Sequence, residues 1–433
     1  MEATTLRRVE WRQLFPWLYL FGAFRIAIDP RKLLLAVLGL CFVAGGNHAI
    51  DAIGLRSGII REASPVPRHD YPWSEEYQPT TRLGIEPLSM LTDPSAMREL
   101  FGNWNSLIDP ILRGALHPAL TLANSYQSGF APSVDALLRL LWFAFVWGIF
   151  GGAITRMAVH QFVKDEKLSV VGGLKFSCPK VAQFLSAPLL PLGGTLVLML
   201  MSAAIGLLGR IPGMGPLIMS VLIGFSQIFS VIIVILLIGV GAGWPLMVAA
   251  ISTEDSDGFD GFSRAHSYIF DVPWHYLWCF VLAMMYASAT VFFVDLLAQW
   301  VYFISQNGLM WGAGEGVDIT DYRVASAVGE FWIGVLQSLV VGYRASLFWV
   351  LFLLIYLVLR ASSDRIPMNE AYLEPLGNAG DEGMALGGLA AYQEEVTERP
   401  IVNPDDETDT DSENDSSSAN PEEGDVSDPG EST

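Results

Sequence analysis

Four ionisable side chains interrupt stretches that are otherwise apolar, and chemistry would be sought there first. Asp295 breaks "ATVFFVDLLAQW", Arg344 breaks "LVVGYRASLF", Arg139 stands near the start of a long apolar run, and Glu330 lies ahead of another. A charge in the hydrocarbon of a bilayer is costly unless it is paired or functional, so these residues are candidates for a proton relay or a substrate site. The alternative is an ion pair that orients helices, or side chains that snorkel to the interface. Opposite signs predict that Asp295 pairs with Arg344 or Arg139, with Glu330 a weaker member of the set.

Glycines offer a second kind of chemistry. Gly239, Gly241 and Gly243, followed by Pro245, would either break a span and expose carbonyl groups to an ion or substrate, or let two helices approach closely. Close packing is the preferred reading, there and at Gly45-Gly46 and Gly151-Gly152.

Other motifs are excluded. The stretch "WGAGEGVD" is glycine-rich, but no GK[ST] follows, so it is not a phosphate-binding loop. His160, His266 and His275 are too scattered for a metal-ligand set, and no zinc-helix or nucleophile-elbow pattern occurs. Cys41, Cys178 and Cys279 form no CxxC pair and read as small hydrophobes rather than a disulfide or zinc scaffold. No catalytic residue, metal or cofactor is expected.

The elements that must position these residues are membrane spans. The chain is 52% hydrophobic and only 16% charged, well below the roughly 25% charged residues of soluble proteins. Runs close to the roughly 20 helical residues that cross a hydrocarbon core occur at Leu33–Ile50, Ala136–Ala158, Pro188–Leu208, Leu217–Val240, Tyr276–Val301 and Leu339–Arg360. The fourth either ends near Val240 or continues to Ala250. The expected fold is therefore an all-α polytopic membrane helix bundle of about six spans, with five or seven as alternatives.

Lysine placement orients the bundle, since cationic segments resist translocation. Lys32 precedes the first span, and Lys164, Lys167, Lys175 and Lys180 fall between the second and third. That predicts both termini in the cytoplasm. Three regions follow: a cytoplasmic amphipathic segment at 1–32, a six-span domain at 33–365 with an outer loop at 51–135, and an acidic tail at 366–433. The tail holds nineteen acids and one base, Arg399, and so carries nearly all of the net charge of −20. It lacks apolar periodicity and is expected to be disordered. In the outer loop, Met97, Leu100, Phe101, Trp104, Leu107, Ile108 and Ile111 give one apolar helical face, suited to a small packed subdomain, to a cap on the bundle or to the outer membrane surface.

Each odd-numbered span is preceded by an amphipathic segment and entered through a proline: Pro30, Pro188 and Pro273. In the first copy Trp11, Leu14, Phe15, Leu18 and Phe21 predict a helix lying among the lipid headgroups. Three units of interfacial helix plus hairpin are the expected architecture, either by duplication or as a general way of entering a membrane.

Two stretches carry a family likeness: "AISTEDSDGFDGFSRAHSYIFDVPWHYL", where a span ends in an acidic turn and a short helix leads to the next, and "LIYLVLRASSD" at the exit of the last span. With them the chain resembles uncharacterised bacterial multi-pass membrane proteins and, more loosely, the membrane domain of glycerophosphodiester phosphodiesterases. The resemblance implies a topology and a bacterial cytoplasmic (inner) membrane location, and no activity. The functional expectation is a non-enzymatic membrane organising or accessory protein, with the bilayer as one partner and a protein docked on the acidic tail as another. The alternative is a transporter or channel-like permease for a small solute or lipid. So few bases beside an acidic tail speak against nucleic acid, and the oligomeric state is not readable.

Overall fold

The computed structural model describes residues 15–57, 71, 83, 105–124, 130–314 and 323–368, with backbone alone for 55–57, 105–110, 112, 113, 123 and 323–326. Among them the chain is all-α. A three-ten turn, Pro16–Gly22, leads into α1 (Ala23–Ala27), followed by α2 (Pro30–Ser57), α3 (Asn105–Ala123) and α4 (Phe130–Lys164). Then come α5 (Val170–Ser177), α6 (Val181–Leu208), α7 (Gly215–Glu254), α8 (Gly258–Asp271), α9 (Pro273–Ala313) and α10 (Arg323–Ser363). Six of these, α2, α4, α6, α7, α9 and α10, are long and apolar enough to cross a membrane. The acidic tail from 369 onward lies outside the described residues, as do Met97–Trp104 of the outer loop and Trp11 and Leu14 of the first amphipathic segment.

Local chemistry fixes the boundaries. Asp29 accepts the backbone N–H of Arg31 at the start of α2, Ser169 accepts that of Gly172 in α5, and Asp257 accepts that of Asp260 in α8. Each satisfies a donor left free in a first helical turn. Proline opens α2 and α9 at Pro30 and Pro273, where its missing N–H has no helical partner to lose. The second copy departs from this pattern. Pro188 lies inside α6, together with Pro191, and the break falls at Cys178–Lys180, where Pro179 takes the equivalent place. In place of a buried hydrophobe, Cys178 is exposed at this break. Inside α6 the hydroxyl of Thr195 turns back onto the carbonyl of Pro191 at 3.0 Å.

The fourth span does not end at Val240. α7 runs unbroken through Gly239, Gly241, Gly243 and Pro245 to Glu254 and stops on Asp255 in the left-handed conformation, φ 59°. Left-handed residues, Asp165 and Arg365, also follow α4 and α10.

Antiparallel hairpins α2/α4, α6/α7 and α9/α10 pack so that their second helices, α4, α7 and α10, meet one another. Each contributes a tryptophan to the meeting point. The ring of Trp349 lies 5.8 Å from that of Trp147 and 5.3 Å from that of Trp244. Gly151 makes room for it, since a Cβ there would stand 2.5 Å from the Trp349 indole. The short elements close the arrangement in a ring: α5 lies on the first hairpin, α8 on the second, and the N-terminal turn with α1 on the third. The threefold pattern of the sequence is thus present in the packing.

The first of these elements is not one continuous helix. Gly22 and the Asp29-Pro30 step divide it, and Leu20, Ala23, Ile26 and Ala27 are buried against the bundle. Ser346 on α10 donates to the carbonyl of Ala27 at 2.9 Å. The hydroxyl of Tyr286 on α9 donates to the carbonyl of Phe21 at 2.8 Å and accepts the N–H of Phe24 at 3.3 Å. In the long loop between the first two spans, α3 packs on α4 and α10 and buries Ile111.

Candidate functional site

Asp295 and Arg344 form the pair that their signs predict. One guanidinium nitrogen of Arg344 reaches both carboxylate oxygens of Asp295, at 2.9 and 2.8 Å. Arg344 is 1% exposed and Asp295 19%, so the pair has left water, and each charge is the other's compensation for that loss. Phe24 of the N-terminal segment lies edge-on against Tyr343 and Phe293, next to the pair in sequence and in space. The segment is therefore fastened to the same hairpin that holds the two charges.

Arg139 belongs to a different site. It donates to Asp135 at 2.9 Å, one helical turn away, and pairs with Asp51 at the end of α2. Asp51 and Asp135 bound the long loop between the first two spans in the sequence, and Arg139 ties these two ends together. Glu330 is exposed on the first part of α10. Arg344 with Asp295, and Arg139 with Asp135 and Asp51, thus form two separate ion-paired groups.

The glycines have a packing role. A Cβ on Gly239 would fall 2.1 Å from Nε2 of His266, and one on Gly243 would fall 2.9 Å from the end of Ile269; both neighbours belong to α8. Gly261 on α8 reciprocates by receiving Ile251 of α7. Gly241 faces open space. α8 is thus seated in α7 backbone-close, which is what a residue without a side chain permits.

A third polar site, not anticipated from the sequence, lies at the end of the bundle that carries the lysines. Glu254, the last residue of α7, accepts a 2.5 Å hydrogen bond from the hydroxyl of Tyr356. It also meets Arg264 of α8 at 2.6 Å and Arg360 of α10 at 3.3 Å. Arg264 donates in addition to Asp260 at 3.1 Å, and the hydroxyl of Tyr268 donates to Asp364 at 2.5 Å. Close by, Arg156 donates to the carbonyl of Ser252 at 2.9 Å and covers the ring of Phe176, while Lys180 pairs with Asp255. The stretches 250–277 and 354–364 meet here, one supplying Glu254, Arg264 and Tyr268, the other Tyr356, Arg360 and Asp364.

On α8, outside the spans, ionisation follows from these contacts. Burial raises the Tyr268 phenol, and the bond to Asp364 and its charge raise it further. Burial alone would lower the Arg264 guanidinium, but Glu254 and Asp260 reverse the sign and hold it above its ordinary value. Burial lowers the His266 imidazole, opposed by its interaction with the backbone of Phe262. Tyr268 and Arg264 thus stay protonated at neutral pH, as parts of a fixed clamp.

Individually, Asp260 and Arg264 could have been read as an i, i+4 pair on a helix face. Glu254, Tyr356 and Arg360 carried no such signal, because charged and tyrosine residues at span ends are ordinary. Among the described residues, no group of three or more His, Cys, Asp or Glu side chains could hold a metal ion. Across known proteins, no family model, curated protein or solved structure matches this chain.

Proposed function

We propose that this chain is a non-catalytic integral membrane protein that organises or assists other membrane components, with both termini in the cytoplasm of a bacterial cell. One observation carries the reading. The charges that a transport path would need are held in separate, compensated pairs, and the three central helices close on one another through Trp147, Trp244 and Trp349. Permeation requires polar groups that converge along a route through the bundle. Scaffolding requires a rigid body with surfaces turned outward, which the clamp at Glu254 and the apolar hairpins supply. The lysine-rich end faces the cytoplasm in this reading, which puts the acidic tail where a soluble or membrane-bound protein partner can reach it.

The test is mass spectrometry of the tagged chain extracted gently from its own membrane, beside a version truncated after Asn403. A stoichiometric protein partner lost on truncation supports the reading and assigns the docking to the tail. Co-purification of a reproducible solute with no protein partner contradicts it.

A further inference from the structure

The hairpin of α6 and α7 leaves the packed part of the molecule. From Leu189 to Ile238 its large apolar side chains are exposed on nearly all sides, and the turn at its tip carries Arg210, the one charged residue between Lys180 and Glu254. Successive turns of α7 meet α6 through Leu222, Ser226, Phe229 and Ile233, which are partly covered. The opposite face runs Ser220, Gly224, Gln227, Val231, Val234, all exposed, at the four-three spacing of a helix-pairing seam.

Polar side chains along this exposed stretch of α7 are few, and their hydrogen bonds differ. Ser220 donates to the carbonyl of Pro216 at 2.7 Å, Ser230 to that of Ser226 at 2.8 Å, and Ser226 to the hydroxyl of Ser202 across the hairpin at 3.2 Å. The Gln227 amide has no hydrogen bond among the described residues. It stands twelve residues past Gly215, the start of α7, which at 1.5 Å per residue is about 18 Å along the helix and near the middle of a hydrocarbon core about 30 Å thick. Neither lipid headgroups nor water satisfies an amide at that depth, so a bare amide there is strongly unfavourable.

We propose that the outward face of α7 pairs with the same face of a second copy, with the two Gln227 amides bonded to each other. An amide carries both donor and acceptor, so a twofold axis through Gln227 lets each side chain give one hydrogen bond and receive one. Gly224, where a Cβ would meet no atom within 4 Å, and the small Ser220 allow the two backbones to come close at the level of the amide. The inference stands apart from the closed core, which it neither needs nor tests.

The test uses the full chain, labelled with donor and acceptor fluorophores in liposomes, with energy transfer followed as lipid dilutes the protein. Wild type should self-associate, and Gln227→Leu should weaken association roughly tenfold, the size expected for losing an interhelical hydrogen bond in a membrane. Gly224→Ile, harmless to the monomer because its site is open, should weaken it as well. Gly206→Ile, at an equally open site on α6, should leave it unchanged. A monomeric wild type, unaltered association in both α7 variants, or equal loss from Gly206→Ile overturns the proposal.

Discussion

Arg344 holds Asp295 through both carboxylate oxygens, across the α9/α10 hairpin and almost wholly out of water. Breaking such a pair leaves a lone buried charge, whereas replacing both partners does not. Arg344→Met should therefore destabilise the protein by about 3 kcal/mol, while adding Asp295→Leu to it should recover most of that loss. Thermal unfolding in detergent micelles, arranged as a double-mutant cycle, measures the recovery. A functional site would show the reverse, with wild-type stability and lost activity in Asp295→Asn.

The glycines of α7 give a contrast within one helix. Gly239→Ala should push against His266 and loosen α8 from α7, at a cost of about 1–3 kcal/mol for overpacking, and adding His266→Ala should relieve it. Gly241→Ala meets nothing and should be neutral, or stabilising by about 0.5–1 kcal/mol. Hydrogen exchange across Gly258–Asp271 reports α8 directly.

At the Glu254 clamp, the two kinds of partner should separate. Tyr356→Phe removes one neutral donor to the Glu254 carboxylate and should cost about 2 kcal/mol. Glu254→Gln removes the charge shared by Arg264 and Arg360 and should cost more, about 3 kcal/mol, since Arg360 is nearly buried. Chemical denaturation of the two variants side by side tests the order.

His266 predicts the direction of a pH response. Its folded-state pKa is lowered by burial, so the unfolded chain takes up a proton that the folded one resists. Docking of α8 should be at full strength above about pH 6.5, the ordinary histidine value, and should weaken as pH falls below it. The histidine contribution should vanish in His266→Gln, read as a flatter melting temperature between pH 7 and pH 5.

Much of this architecture was legible from residue type alone. Six apolar runs announced six spans, and Asp295 and Arg344 stood out because a charge within an apolar run demands a partner. What stayed hidden depended on distant neighbours. Pro188 and Pro245 look like helix boundaries, yet α6 and α7 carry them inside, because helices in a lipid setting can have freed backbone groups satisfied by hydroxyls and adjoining helices. Glu254 resembled any charge at a span end until α8 and α10 brought Arg264 and Arg360 to it. The insertion of Leu20 to Ala27 against α10 followed from closure of the threefold ring, a relation between residues more than 300 apart, such as Ala27 and Ser346.

The closed core is most directly tested by water access along the three central helices. In a chain with Cys41, Cys178 and Cys279 replaced, single cysteines at Ala153, Ala250 and Leu353, with Ser363 at the exposed end of α10 as a control, would be treated with a membrane-impermeant maleimide in open membrane fragments that expose both faces. A dry bundle gives labelling at Ser363 and none at the three core positions, whose side chains are buried. Labelling of all three at rates near that of Ser363 would reveal a water-filled route through the bundle and contradict the non-transporting reading.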